Sequence, residues 1–411
     1  MPNWRRWFGL GTKIPNPRIS IFYVFLPFEI KLKNYMKFIV SSDLLYRNLS
    51  AISGVMGSNS TMPILDNFLV TIEGNQLKLT ASDLESTMTS VIELENVEGE
   101  GSVAVPAKIL LETLKLMPDM PLVFAIDTEN NIVKFTSANG EYGAPCFPSD
   151  EYPQVKPIQE PQSFDIRATV LQRAISKTIF ATGNDELRPN MMGVLCELSS
   201  DCVTFVATDA HKLVRYRNTE VKTEDFSSLI LPKKPLAHLK NVLTNYTDTV
   251  HIDYSQTTHH IRFVFGNVEL YSSLKEGKYP NYEQVIPKDN PKILTIGRDE
   301  FLKSIRRLGI YSSQSTFQVR LSLGETGLNM TAEDMDFSYK GAENIQCEYV
   351  GEPMEIGFNS RFLREMVENL DAETIQMSFS KPSRAALITP ATQHDENEDV
   401  LMLIMPVTLN Y

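Results

Sequence analysis

The sequence repeats itself on the scale of a whole domain. Thr80-Ala81-Ser82-Asp83, Ala207-Thr208-Asp209 and Thr331-Ala332-Glu333-Asp334 each close a pair of strand-like runs, at separations of 126 and 125 residues. A second set of markers keeps the same interval: Val105-Pro106-Ala107-Lys108, Leu231-Pro232-Lys233-Lys234 and Phe358-Asn359-Ser360-Arg361 each open a helical pattern, 126 and 127 residues apart. A period this long is the length of a domain, so the 411 residues predict three related domains and not a stack of solenoid repeats. The boundaries fall at 36–160, 161–290 and 291–411, behind an extension of residues 1–35.

Each unit opens with a short strand and an amphipathic helix. Apolar residues recur at i, i+3 and i+4 as Leu44, Leu45, Leu49 and Ile52 in Asp43 to Val55. Val170, Leu171, Ile175 and Ile179 repeat the pattern in Thr169 to Thr182, and Phe301, Leu302, Ile305 and Leu308 repeat it in Asp299 to Ile310. β runs follow, such as Phe68 to Ile72 and Leu77 to Thr80, joined across Gly74-Asn75, a dipeptide suited to a tight hairpin. Second helices over Ala107 to Leu116, Lys233 to Leu243 and Ser360 to Leu370 lead into further strands. The fold class is α+β, with two helices on one sheet face in each unit.

Charge is distributed unevenly over this frame. The whole chain has a formal net charge of −12, which excludes an overall basic coat but not a local basic patch. The six helical stretches nevertheless hold thirteen basic residues, Arg47, Lys108, Lys115, Arg173, Lys177, Lys233, Lys234, Lys240, Lys303, Arg306, Arg307, Arg361 and Arg364. Against them stand Asp43, Glu112, Asp299, Glu300, Glu365 and Glu368, of which Asp43, Asp299 and Glu300 suit helix N-termini through the helix dipole. Exposed helix faces are ordinarily charged, and that reading stays open. Repetition in all three units favours a shared surface that binds a polyanion by counterion release without reading bases.

The first 35 residues carry a net charge of +5 around the apolar run Ile19 to Leu26. That run is too short to span a membrane, and no small-residue cleavage site follows it. Met36 is read as the functional start, with an export signal or anchor as the competing reading. Cys146, Cys196, Cys202 and Cys347 form no CxxC pair, which points to buried thiols in a reducing compartment. No nucleotide loop, dinucleotide fingerprint, zincin or nucleophile-elbow motif is present, so neither a catalytic residue nor a cofactor nor a metal site is assigned. His259-His260 would point to opposite faces of a strand and suits an exposed hairpin better than a metal.

Ordered along residues 36–411 are Met36-Lys37-Phe38, Thr61 to Leu65, Val206 to Leu213, Gly277 to Tyr282, Glu355 to Asn359 and Ile404 to Val407. This set resembles the bacterial sliding clamp family, the beta subunit of DNA polymerase III. The resemblance implies a head-to-tail homodimer, a six-domain ring whose helices line a channel around duplex DNA and whose antiparallel sheets lie outside. It implies a cytoplasmic, non-catalytic processivity factor, loaded by an ATP-dependent clamp-loader complex. Its partners would be the polymerase III catalytic subunit and other polymerases and repair proteins carrying short peptide motifs. Asn59, Arg188 and Asn190 join the helical cations as candidate DNA contacts.

The partner-peptide groove that the resemblance implies maps to Met191, Thr208, Ala210, His211, Lys212, Leu213, Pro280, Gln284, Val285, Asn359, Phe362, Arg384, Leu403, Met405, Pro406 and Val407. Subunit contacts map to Tyr142 and Ala144 in the first domain and to Ile310 and Tyr311 in the third. Three places depart from the family pattern: Pro189-Asn190 stands where some relatives have aromatics, Gln284 where Arg is common, and the tail after Met405-Pro406 is longer.

Overall fold

A computed structural model describes residues 35–57, 62–155 and 157–409. The readings made for residues 1–34 and for Asn59 lie outside the described residues. The first strand, Tyr35–Ser41, starts one residue before the expected Met36.

Three helix pairs follow the predicted order: α1 (Ser42–Ser53) with α2 (Ala107–Lys115), α3 (Ala168–Thr178) with α4 (Lys233–Val242), and α5 (Arg298–Gly309) with α6 (Ser360–Glu368). The helices end one to four residues earlier than the periodicity suggests. Their last turns tighten into 3₁₀ geometry, as in Ile179–Ala181 after α3 and Leu243–Asn245 after α4. Ser41 caps α1 by accepting from the Leu44 N–H, and Asn359 caps α6 by accepting from Arg361 and Phe362. Leu45, Leu49 and Ile52 are buried as expected, whereas Leu44, in the first turn, is exposed.

The expectation of one sheet face beneath each helix pair needs correcting. Each pair touches two sheets; α1, for example, contacts both Tyr35–Ser41 and the hairpin Gln76–Ser82 and Ser86–Glu93, which belong to different sheets. The reason is strand number: the strands of one unit exceed what a single twisted layer can present to two short helices. Sheets also run across unit boundaries. Ser86–Glu93 of the first unit pairs with Val268–Ser273 of the second, and Lys212–Asn218 of the second pairs with Glu398–Ile404 of the third. Both junctions complete nine-stranded antiparallel sheets. Two shorter sheets remain, one of five strands ending at Gly140–Pro145 and one of four ending at Tyr339–Ile345.

One continuous core of buried aliphatic and aromatic side chains runs through all three units. Four rings form a ladder across the five-stranded sheet: Phe38, Phe124, Phe135 and Tyr142 stack at centroid distances of 4.9, 5.1 and 5.2 Å. Gly74, at φ +57°, makes the predicted hairpin turn, which the Glu73–Gln76 pair closes. All four cysteines are free thiols; Cys146 and Cys196 are buried, but Cys202 and Cys347 are only half-buried at the ends of loops and edge strands.

Candidate functional site

Contacts between helix pairs arrange the six helices in one row. Gly54, at the C-cap of α1, faces the His238 ring of α4, and Lys177 of α3 donates to the Asn369 carbonyl at the end of α6. With the pairs α1–α2, α3–α4 and α5–α6 in contact, the order is α2, α1, α4, α3, α6, α5. The row therefore begins on the first unit and ends on the third.

The candidate phosphate-binding cations on this row divide into two groups. Lys108, Lys115 and Lys303 are exposed and Lys240 is half-buried, and none of the four forms an ion pair among the described residues. Lys233 donates to the Asn184 amide at 3.1 Å, and the Arg361 guanidinium lies 3.3 Å from the centroid of the Phe317 ring. The others are already paired: Arg47 with Asp43, Lys234 with Asp83, Arg306 and Arg364 with Glu368, and Arg307 with Glu343. The Arg307 hydrogen bond holds the Glu343 carboxyl below its ordinary range.

Arg173 and Lys177 are structural. Arg173 binds Glu398 and Asp371, and Lys177, 7 % exposed in its side chain, binds Asp371 at 2.6 Å. Burial pulls the Lys177 ammonium below the ordinary lysine range, with Asp371 opposing the shift. Both cations bridge the second and third units, so the structure takes them out of the open basic surface. In the loop between α3 and the next strand, Arg188 pairs with Asp185, and Asn190 donates to the Lys278 carbonyl at 2.7 Å.

The candidate groove forms at the same boundary. Thr208 Oγ1 donates to the Lys212 carbonyl and accepts from the Ala210 N–H, a turn that holds Ala210 at φ +76° and exposes His211. The His211 ring stacks on Phe362 of α6 at 5.7 Å, and the Met405 N–H donates to the His211 carbonyl. Lys212 is buried beneath them, paired with Glu365 and lying 5.6 and 5.2 Å from the Phe180 and Phe362 rings. Leu213 and Leu403 are also buried, in a satellite core with Tyr279, Tyr282 and Ala385. Val285, Gln284, Arg384 and Met405 are exposed, with Pro280, Pro406 and Val407 half-buried beside them. Met191 accepts from the Gly183 N–H at its carbonyl, and Val407 donates to the Gly357 carbonyl, which lays the C-terminal tail along the third unit. Apolar side chains, Val285 and Met405 with Phe362, are thus presented beside exposed His211, Gln284 and Arg384 above a fixed floor. Thr208, Lys212, Leu213 and Leu403 support them from below, while Asn359 is spent on capping α6.

Family models for the N-terminal, central and C-terminal domains of the DNA polymerase III beta subunit match residues 36–156, 165–281 and 283–408. The chain belongs to the DNA polymerase III beta subunit family. It is 29 % identical to the beta sliding clamp of Pseudomonas aeruginosa over 376 residues, 91 % of this chain and 100 % of the relative. Against the Vibrio cholerae clamp the identity is 26 % over 374 residues, with the same coverage. A crystal structure of the P. aeruginosa clamp bound to griselimycin superposes with a TM-score of 0.85 at 28 % identity, covering 91 % of this chain and 100 % of that one. The Bacillus subtilis clamp, at 24 % identity and 92 % coverage of this chain, shares the fold with a TM-score of 0.84. The family gives the function: a DNA sliding clamp for the replicative polymerase, a processivity factor and not itself an enzyme.

In this clamp the two ends of the helix row are conspicuously apolar. Ile109 is exposed on α2 and Leu116 at its C-cap, and Ile310 and Tyr311 are exposed after α5. Beside Tyr142 and Ala144, a small pocket of about 140 Å³ is lined by Val105, Ile109, Leu110, Val133 and Phe135. Ile109 and Leu116 escaped the sequence reading, although their signal was present: both fall off the Leu110–Leu114 stripe that faces the core. Phe337 and Tyr339, also exposed, stack on each other at 5.7 Å beside the other free sheet edge. His259 sits in a turn at φ +53° and His260 stacks on Tyr271; no metal-binding cluster occurs among the described residues. No helix among the described residues is long and apolar enough to cross a membrane.

Proposed function

We propose that two copies of this clamp close head to tail into a ring that encircles duplex DNA and holds it topologically. One observation carries the reading. Sheets already run unbroken across both boundaries within the chain, and the unpaired sheets of four and five strands have the strand numbers that each internal junction joins. Pairing them removes the two exposed edges, which otherwise invite uncontrolled association. The apolar ends of the helix row would be buried by the same step, with Ile310 and Tyr311 entering the pocket beside Tyr142 and Ala144.

Lys108, Lys115, Lys240, Lys303, Lys233 and Arg361 are the phosphate contacts this reading favours. A few unpaired cations on a closed collar suffice because the topology, and not the affinity, prevents escape. Weak contacts then permit sliding.

The His211–Phe362–Met405 surface is the candidate seat for short peptides of the polymerase catalytic subunit, the clamp-loader complex and repair proteins. Exposed, adaptable Met and Val side chains suit several ligands. Griselimycin, the ligand of the P. aeruginosa clamp structure, is a candidate ligand with which to test that surface. Loading would require an ATP-dependent partner, and a cytoplasmic site of action follows from the replicative role.

The test compares retention on circular and linearised plasmid DNA after clamp-loader addition while salt is raised. Retention on circles with loss from linear ends is expected; equal, salt-sensitive loss from both refutes encirclement. A second measurement addresses closure: charge at both Ile310 and Tyr311 should give monomers by light scattering, and an unchanged dimer mass would reject those contacts.

A further inference from the structure

The repeat fixes more than the choice of edges. Ala81, Ala207 and Ala332 occupy one position of the repeat, each buried two residues before its marker Asp83, Asp209 or Asp334. Their cross-strand partners are Met88, Val214 and Gly341, on the strands that face the next unit. On the opposite side, Phe38, Phe164 and Leu294 each stand four residues before a helix start. Following the pairs outward from them, across two further strands, leads to Tyr142, Leu270 and Met402 on the facing edges.

Both internal junctions join these positions directly: Leu270 lies opposite Met88, and Met402 lies opposite Val214. Two independent boundaries thus use one register. Resting on the ring reading above, we infer that the subunits close in the same antiparallel register, with Gly341 of one protomer opposite the partner's Tyr142 and Tyr339 opposite the partner's Ala144.

This register interlocks large side chains with small ones. At the internal junctions two side chains of middle size meet; at closure an aromatic meets a glycine, and two residues along, an alanine meets an aromatic. The space a Gly341 Cβ would occupy is filled from the helix side by Leu308 and Tyr311, 2.8 and 3.3 Å away. Tyr142, with no side chain opposite, would lie against the Tyr311 ring and add a fifth member to the Phe38–Phe124–Phe135–Tyr142 ladder. On the outer face Glu141, already 3.4 Å from Lys134, would lie diagonal to the partner's Lys340, an opposite-charge neighbour. Beyond the strand end, Phe337 would approach Ile132 and Phe147, which are exposed around a shallow hollow.

A slip of two residues would set Tyr142 against Tyr339 or Glu343. A slip of one would turn every side chain to the wrong face. The interlock therefore acts as a specificity device: it admits a second copy of this chain and rejects a related clamp carrying bulk at the Gly341 position.

Cysteine pairs in the full chain read the register. Directly opposed residues of an antiparallel pair have Cα atoms about 4.5–5.5 Å apart, within disulfide reach, whereas residues offset by two are about 7–8 Å apart. Glu141→Cys combined with Ala342→Cys should give covalent dimers under mild oxidation at least about fivefold faster than Glu141→Cys with Lys340→Cys or with Asn344→Cys. The unmodified chain, with its four native cysteines, is the background. Faster cross-linking by an offset pair, from a chain of dimer mass, overturns the register and leaves the ring standing; a monomer mass for the unmodified chain removes both.

A size exchange provides a second readout. Ala144→Trp should reduce the dimer to monomers, and adding Tyr339→Ala should restore it. A folded double variant that stays monomeric contradicts the interlock. If Ala144→Trp does not fold, the cross-linking comparison still decides.

Discussion

Lys177 and Asp371 meet across the boundary between the second and third domains, Nζ to Oδ2 at 2.6 Å, and Arg173 closes on the same carboxylate from the next turn of α3. Two cations that look like DNA ligands in the sequence are therefore joints of the ring wall. Lys177→Met should cost about 1–2 kcal/mol, less than for a fully buried pair because Asp371 is half exposed. Thermal unfolding should fall accordingly while retention on circular DNA below the transition stays unchanged. Loss of retention without loss of stability would return Lys177 to the DNA surface.

The unpaired lysines should behave in the opposite way. Replacing Lys115 or Lys303 with Ala removes a cation that forms no ion pair among the described residues. Stability should change little, and the slope of log K against log salt for DNA binding should flatten by about 0.9 for each phosphate that is no longer neutralised. An unchanged slope for both variants would exclude these positions from the DNA-binding set.

Peptide affinity should depend on the exposed side chains above the floor. Met405→Ala should weaken griselimycin binding by about 1–2 kcal/mol, roughly tenfold, with dimer mass unchanged. Phe362→Ala should do more, since it also removes the platform on which His211 stacks and the ring beside Lys212. Titration calorimetry with the two variants checks both, and equal affinities would place the ligand elsewhere.

A pH dependence is built into the outer edge of the second domain. His251 Nδ1 lies 2.7 Å from Asp165 and Nε2 lies 3.1 Å from Asp253, which also accepts from Ser163 and Arg262. The hydrogen bond to Asp165 raises the imidazole above its ordinary 6.5. A raised pKa means that the charged form is favoured in the folded state. Its contribution is complete below 6.5 and is lost as pH rises through the folded-state value. The unmodified chain should thus lose more thermal stability between pH 6 and pH 8 than His251→Asn does. Parallel profiles for the two would show that the cluster contributes nothing. Burial alone would raise the Asp371 carboxyl, but Lys177 and Arg173 hold it below its ordinary range. Its share is therefore present above the ordinary 3.8 and disappears as pH falls further, so strong acid should weaken the contact across the domain 2–3 boundary.

The number of domains, the six helices and their apolar stripes are legible in the chain alone, because local periodicity and a threefold marker set need no knowledge of the fold. The family resemblance also singled out Tyr142 and Ala144, which lie on a free sheet edge, and Ile310 and Tyr311, which are exposed at the far end of the helix row. Which cations remain free is a property of the folded arrangement. Arg173, Lys177 and Lys234 carry the same charge and helical setting as Lys115 and Lys303, but their carboxylate partners, Asp371, Glu398 and Asp83, lie 151 to 225 residues away. Sheet continuity was equally invisible, since the pairing of Leu270 with Met88 joins residues from different repeats. Interactions set by helical or strand period can be read along the chain; ion pairs and register between domains depend on which surfaces folding brings together.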